Sequence, residues 1–245
     1  MRGFRVLVAA SVCGLAMIAP AHAADPPGAW LPDFRKPYYT ELISGWYARA
    51  DLGYRKHDIG SVEAPTANAV TGSRIDNAWT LGFGGGYKYK WFRSDVTLDY
   101  ANKARFYGET AQGPGYFTAQ IDSFTLLGNV YLDMGTWAGF TPYIGAGIGT
   151  TNLRTHEFRI AGQLPSEGVA DTTRWNFSWA AMGGVSYQIS PSMLLDVGYR
   201  YLQMGEAISG ILTPNTPTPA INTARVSLRD MTAQEIRVGL RWMLD

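Results

Sequence analysis

Few residues in this 245-residue chain have the types and spacing for chemistry. Beyond residue 23 the imidazoles are His57 and His156. His57 stands beside Asp58 and near Ser61, so base, orienting acid and hydroxyl lie close in sequence. Either histidine could join a Ser or Asp in this way, which is the raw material of nucleophilic catalysis. No nucleophile-elbow glycine pattern, no paired histidines of a zinc helix and no cysteine/histidine cluster accompanies it. Asp95 and Asp99 share a strand face, but four residues at ~3.3 Å each put them ~13 Å apart, too far for a paired-carboxylate site. The glycine runs at Gly82–Gly86 and Gly145–Gly149 continue a strand alternation and lead into no helix, so they do not read as phosphate loops. No catalytic residue, cofactor site or metal site is assigned, and the chain reads as a non-enzyme.

The stronger pattern is a set of charges on one face of successive strands. From Gln234 to Leu244, apolar Ile236, Val238, Leu240, Trp242 and Leu244 alternate with Glu235, Arg237, Gly239 and Arg241. A period of two is a strand with two unlike faces. The same alternation predicts strands at Trp46–Lys56, Asn77–Tyr89, Phe92–Ala101, Thr118–Asp133, Phe140–Leu153, Trp175–Ile189 and Met193–Leu202. The facing of 140–153 is left open, because both of its faces are uncharged. The connections at 57–76, 102–117, 152–174 and 203–229 are long. Those at 90–91, 134–139 and 190–192 are short. A soluble sandwich has no reason to make every second connection long, whereas a transmembrane barrel does. The expected fold is therefore all-β: an eight-stranded antiparallel up-and-down transmembrane β-barrel. Its last strand, Gln234–Leu244, is expected to pair antiparallel with Trp46–Lys56 and so remove the open edge.

In that barrel the apolar, aromatic-rich face looks outward to outer-membrane lipid and lipopolysaccharide. The charged face looks inward: Arg49, Asp51, Arg55, Lys88, Arg93, Asp95, Asp99, Asp133, Asp196, Arg200, Glu235, Arg237 and Arg241. Seven bases against six acids is close to balance. An eight-stranded lumen is only wide enough for its side chains to fill it, and unpaired buried charges cost several kcal/mol each. These residues are expected to form a salt-bridged lumen network. A narrow, porin-like ion path is the alternative, although a selective pore is usually lined by one dominant sign.

The first residues fit export. Arg2 and Arg5 precede a short apolar core at Val6–Ile18, and Ala21-His22-Ala23 is a small-x-small cleavage site. The expected organisation is a cleaved signal peptide at 1–23, a proline- and aromatic-rich periplasmic segment at 24–45, and the barrel at 46–245. Cys13, the one cysteine, lies in the apolar core, so the mature chain is expected to have no disulfide. Without Arg2 and Arg5 the chain carries 19 bases and 20 acids, and nothing suggests nucleic-acid binding.

Four stretches carry a resemblance: Gly45-Trp46-Tyr47-Ala48-Arg49-Ala50-Asp51-Leu52-Gly53-Tyr54, Thr141-Pro142-Tyr143-Ile144-Gly145-Ala146-Gly147-Ile148-Gly149, Leu195-Asp196-Val197-Gly198-Tyr199-Arg200-Tyr201, and Glu235-Ile236-Arg237-Val238-Gly239-Leu240-Arg241-Trp242. With them, the chain resembles the small alphaproteobacterial outer-membrane barrels of the opacity-protein and outer-membrane-immunogenic-protein group, related in architecture to the OmpA transmembrane domain. The resemblance implies a monomeric surface protein of the Gram-negative cell envelope. It would support envelope integrity and offer its outer loops to host or phage ligands. Outer-membrane lipid-modifying enzymes also place His and Ser near the outer rim, which keeps a lipid-modifying activity as the remote alternative. The family usually ends on an aromatic residue that the barrel-assembly machinery recognises. This chain ends Trp242-Met243-Leu244-Asp245, so Trp242 or Leu244 is expected to serve as that assembly signal.

Overall fold

The computed structural model describes residues 44–63, 70–110, 116–161, 171–208 and 227–244. The expected signal peptide and nearly all of the periplasmic segment lie outside these residues. Nine strands appear among them: β1 (Gly45–Glu63), β2 (Val70–Ile75), β3 (Ala78–Tyr89), β4 (Phe92–Thr110), β5 (Tyr116–Asp133), β6 (Phe140–Ala161), β7 (Thr172–Ser190), β8 (Met193–Ile208) and β9 (Ser227–Leu244). Every pairing is antiparallel. Strands β2 and β3 lie end to end along β4, so they form one stave, broken at Asp76 and Asn77. The nine segments therefore make eight staves. Pairing of β4 with β5 and of β1 with β9 closes the sheet into a barrel.

The closing seam has the expected partners. Trp46 lies opposite Leu244, Ala50 opposite Leu240, and Lys56 opposite Gln234. The pairing then continues past the expected end, to Glu63 opposite Ser227.

That extension is general and corrects the long-connection boundaries. Residues 57–63, 70–75, 102–110, 152–161 and 203–208, expected in loops, are strand. The physical reason is the surroundings. Beyond the membrane the outward face no longer needs to be apolar, so greasy-outside alternation disappears from the sequence. The hydrogen-bond ladder does not need that alternation and runs on. Two ladders stop short there: β1–β3 ends at Arg55 opposite Ala78, and β7–β8 at Trp179 opposite Gln203.

The outward face carries two aromatic bands. Near the short turns lie Trp46 and Tyr87, with ring centroids 5.3 Å apart, and Phe140 and Tyr187, 4.7 Å apart. Towards the long connections lie Tyr54 and Trp79, 5.2 Å apart, and Tyr100 and Phe124, 4.8 Å apart. Between Trp46 and Tyr54 the outward residues are Ala48, Ala50 and Leu52. Eight residues at ~3.3 Å, tilted by ~40°, span roughly 20 Å along the barrel axis, comparable to the apolar band of a membrane barrel. Strand β6 faces its Ile144 and Ile148 to the same lipid side, with Tyr143 buried.

Candidate functional site

The interior of the barrel is the largest concentration of charge in the molecule. All thirteen residues of the proposed network sit inside, and each has an ion-pair partner. They lie in two tiers along the barrel, the one nearer the short turns made of three separate ion-paired sets. Nearer the long connections, Arg200 bonds Asp99 through Nη1 at 2.6 Å and Glu235 through Nε at 2.7 Å. Arg55 donates to the other oxygen of Glu235 and, through Nη1, to Ser123 at 2.9 Å. Arg237 reaches Asp99 through Nη2 at 2.7 Å.

Nearer the short turns, Arg49 holds Asp51 at 2.7 Å and Asp95 at 2.9 Å. Asp95 also accepts from the Tyr47 hydroxyl at 3.0 Å and from Asn129 at 2.8 Å. Lys88 and Arg93 share Asp133, each at 2.8 Å. Arg241 donates to Asp196 at 3.1 Å and Ser186 at 3.0 Å. Arg93 is wedged between the faces of Tyr131 and Tyr143, 4.8 Å from each centroid, a favourable use of a planar cation. Asp51 joins the two tiers, because Arg237 approaches it to 3.3 Å.

Glycines make room for these side chains. A Cβ on Gly82 would collide with Asp99 Oδ1 and Arg237. Between Gly184 and Gly198 sits the Tyr143 hydroxyl, which leaves no space for a Cβ on either. What remains beside Arg49, Asp196 and Arg237 is a cavity of about 20 Å³, room for about one water.

Immediately outside the charged layer the inward residues change character. After Asp99 on β4 come Ala101, Ala104 and Phe106. After Arg200 on β8 come Leu202, Met204 and Ala207. Before Glu235 on β9 come Ala233, Met231 and Leu228. With Ile75, Ala78 and Ile121 they form a buried apolar cluster. Arg55 marks the join, with Nη1 donating to Met204 Sδ at 3.6 Å. This layer went unread in the sequence because Ile75, Ala104, Phe106, Met204, Ala207 and Leu228 fall in stretches taken as loops, while Ala78, Ala101, Ile121 and Leu202 stand at the ends of expected strands. The available signal was a run of apolar residues past Tyr100 and Tyr201 on the inner side, its period of two broken once on each strand by a bulge.

The residues considered for catalysis do not assemble. His57 lies on β1 rather than in a loop. Alternation places exposed Asp58 on the other face of that strand. His57 Nδ1 instead lies 3.2 Å from the Asp76 carbonyl. Burial, reinforced by Arg55, pushes its pKa down to about 4, so it is neutral at pH 7. His156 lies on β6, with one ring nitrogen at Asp122 and the other at Asp171, and among the described residues no hydroxyl nucleophile joins it. Among the described residues, no group of three or more His, Cys, Asp or Glu is placed to hold a metal. Trp242 and Leu244, the expected assembly signal, face outward at the end of β9, 45 % and 53 % exposed.

Comparison with known proteins gives a consistent result. The family model described as an outer membrane protein beta-barrel domain matches residues 9–243. An uncharacterised protein of Brucella abortus is 27 % identical over 230 residues, covering 80 % of this chain and 81 % of the relative. The outer membrane protein PagN of Salmonella typhimurium is 28 % identical over 87 residues, 36 % of each chain. Among solved structures, Neisserial surface protein A superposes with a TM-score of 0.53 at 18 % identity, covering 82 % of this chain and 98 % of that one. OprG of Pseudomonas aeruginosa gives 0.52 at 15 % identity, covering 83 % and 98 %. At these identities the two structures speak for the shared barrel fold alone.

Proposed function

This chain belongs to the outer membrane protein beta-barrel family, and from that premise we propose that it is a non-conducting, non-enzymatic surface protein that supports the cell envelope. Its place is the Gram-negative outer membrane. The observation that carries the reading is the filled interior: a paired charge network with an apolar layer stacked on its outer side. Ions crossing such a barrel would have to break buried ion pairs and then pass a layer lined mostly by apolar side chains. Both steps are costly. What remains available for function is the outside: the lipid-facing wall and the outer connections.

In this reading the barrel is a monomer set in outer-membrane lipid and lipopolysaccharide, delivered by the barrel-assembly machinery. The residues that link β1–β2, β4–β5, β6–β7 and β8–β9 are its contact surface for host or phage ligands. The thirteen lumen charges have a structural role, and Trp242 and Leu244 serve assembly.

The test is conductance. The purified protein should migrate as a compact band in detergent electrophoresis that shifts on boiling, and the same folded fraction should give no unitary events in planar bilayers. Reproducible unitary conductance altered by Arg200→Ala would replace this reading with the narrow channel. A change in lipid A mass in expressing cells, abolished by His57→Ala, would replace it with an enzyme. In the cell, a deletion strain should become more sensitive to detergent and chelator.

A further inference from the structure

Outside the lumen, one cluster of titratable groups sits on the outward face of β5, β6 and the lead-in to β7. Alternation puts Asp122 on the same face of β5 as Phe124, and His156 on the same face of β6 as Asn152 and Arg154. Phe124 belongs to the outer aromatic band, so this cluster lies just beyond the membrane-spanning wall. The strands are deformed at this point. The β5–β6 register slips between Thr118 and Gln120, and Glu157, next to His156, has φ 48°. A bulge re-aims the side chains beside it.

Here the imidazole spans two carboxylates. His156 Nε2 is 2.6 Å from Asp122 Oδ1, and Nδ1 is 2.8 Å from Asp171 Oδ2. Ionised carboxylate oxygens only accept hydrogen bonds, and a neutral imidazole has only one N–H. Two contacts this short are satisfied together only by the imidazolium. Asp122 is buried, while the Asp171 side chain is 64 % exposed and sits immediately before β7. Asp171 also accepts from the Glu157 backbone on β6, but the link onward from the start of β7 to Asp122 on β5 runs through the His156 ring and needs its second proton.

Other charged groups face the same ring. Lys103 on β4 acts on Asp171. Arg154 on β6 lies 5.0 Å over the Phe124 ring. Glu157 on β6 accepts from Gln120 Nε2 on β5 at 3.0 Å. Lys103 and Arg154 oppose protonation of His156, and the three carboxylates favour it. The two in direct contact prevail: Asp171, then Asp122, hold the His156 pKa above the ordinary imidazole value, and His156 holds Asp171 below the usual carboxylate range.

We propose that His156 is a proton-operated staple that fastens the lead-in to β7 onto β5, just above the outer membrane surface, and lets it go as the pH rises. The sign follows from the two shifts. The contribution of His156 is fully present below about pH 6.5, the unfolded value, and is lost as pH rises through its raised folded value. Asp171 bounds the window on the acid side, where its contribution is lost as pH falls through its lowered folded value. Thr172–Trp175, paired with Asn152–Thr155 on β6, is the backbone that loosens.

The test uses the full-length barrel refolded in detergent micelles. Two quantities are followed with pH: the ring ¹⁵N shifts of His156, and the amide protection of Thr172–Trp175 corrected for intrinsic exchange. Expected are two protonated ring nitrogens at neutral pH and a midpoint above ~6.5. Protection should fall on the order of fivefold across that midpoint, the upper range for an exposed ion pair. His156→Gln should show the lower protection at every pH. An ordinary or lowered midpoint, or wild-type protection that ignores pH, overturns the staple. If His156→Gln does not fold, Asp171→Asn decides: it must lower the His156 midpoint, and an unchanged midpoint overturns the proposal equally.

Discussion

Arg200 on β8 donates to Asp99 on β4 at 2.6 Å, straight across the lumen. The two strands are not neighbours in the sheet, since β9, β1 and β3 lie between them on one side and β7, β6 and β5 on the other. Both side chains are buried, and Arg200 also holds Glu235. This contact is therefore a strut that ties opposite walls.

Removing the strut should be costly. Arg200→Ala removes the cation that Asp99 and Glu235 share across the lumen, leaving Asp99 to Arg237 and Glu235 to Arg55 in a buried setting. Breaking one side of a buried pair typically costs about 3–5 kcal/mol. Urea unfolding in detergent should show a loss of that size, with the heat-shifted band appearing at a lower temperature. A loss under about 1 kcal/mol, the range of exposed pairs, would mean the lumen is wet.

Phe106 anchors the apolar layer and is fully buried. Truncation to alanine should cost about 3–5 kcal/mol through lost burial and a residual cavity. Bilayers should nevertheless stay silent, because the charged layer beneath is untouched. Channel events in Phe106→Ala would show that the apolar layer alone blocks the path.

The seam can be tested by cross-linking. Leu52 lies opposite Val238 across β1 and β9. Directly opposed residues of an antiparallel pair have Cα atoms ~4.5–5.5 Å apart, within disulfide reach. Oxidising Leu52→Cys/Val238→Cys should give a bridged barrel that resists the heat shift. Leu52→Cys/Ile236→Cys, offset along the strand, should bridge far less. Equal yields would show that the register slips.

Trp242 and Leu244 separate assembly from stability. Both face outward, so truncating them leaves the lumen intact. Leu244→Ala and Trp242→Ala should lower the folded outer-membrane fraction in cells while refolding into detergent micelles proceeds as in wild type. Equal loss in both settings would make these residues structural rather than a recognition signal.

Crowding at Gly82 gives a last expectation. A Cβ there meets Asp99 Oδ1 and Arg237, so Gly82→Val should force the ion pair apart and cost about 1–3 kcal/mol by overpacking. On the outward face, Gly85 has only the Tyr47 carbonyl near its Cβ position, at 3.4 Å. Gly85→Ala should therefore be far milder, as read by the same urea midpoints.

The barrel itself was legible in the sequence. Lipid imposes a strict rule, apolar outward at every second residue, and the lumen imposes the complementary one. Within the membrane the two together settle strand identity, the facing of every strand except 140–153, and the closing pair of Trp46–Lys56 with Gln234–Leu244. The inward direction of Arg49, Asp99, Arg200 and Glu235 follows from that period alone. Which charge meets which does not: Asp99 lies 101 residues from Arg200 and 138 from Arg237, and only the closed barrel brings the three together. Above the membrane the outer rule lapses, because water tolerates either kind of residue. There the sequence lost the strand extensions, and with them the apolar layer of Phe106, Met204 and Leu228. His156 is the sharpest case. One-dimensional spacing set it in the 152–174 connection, 34 residues from Asp122. A local bulge and the antiparallel neighbour were needed to put its ring between two carboxylates.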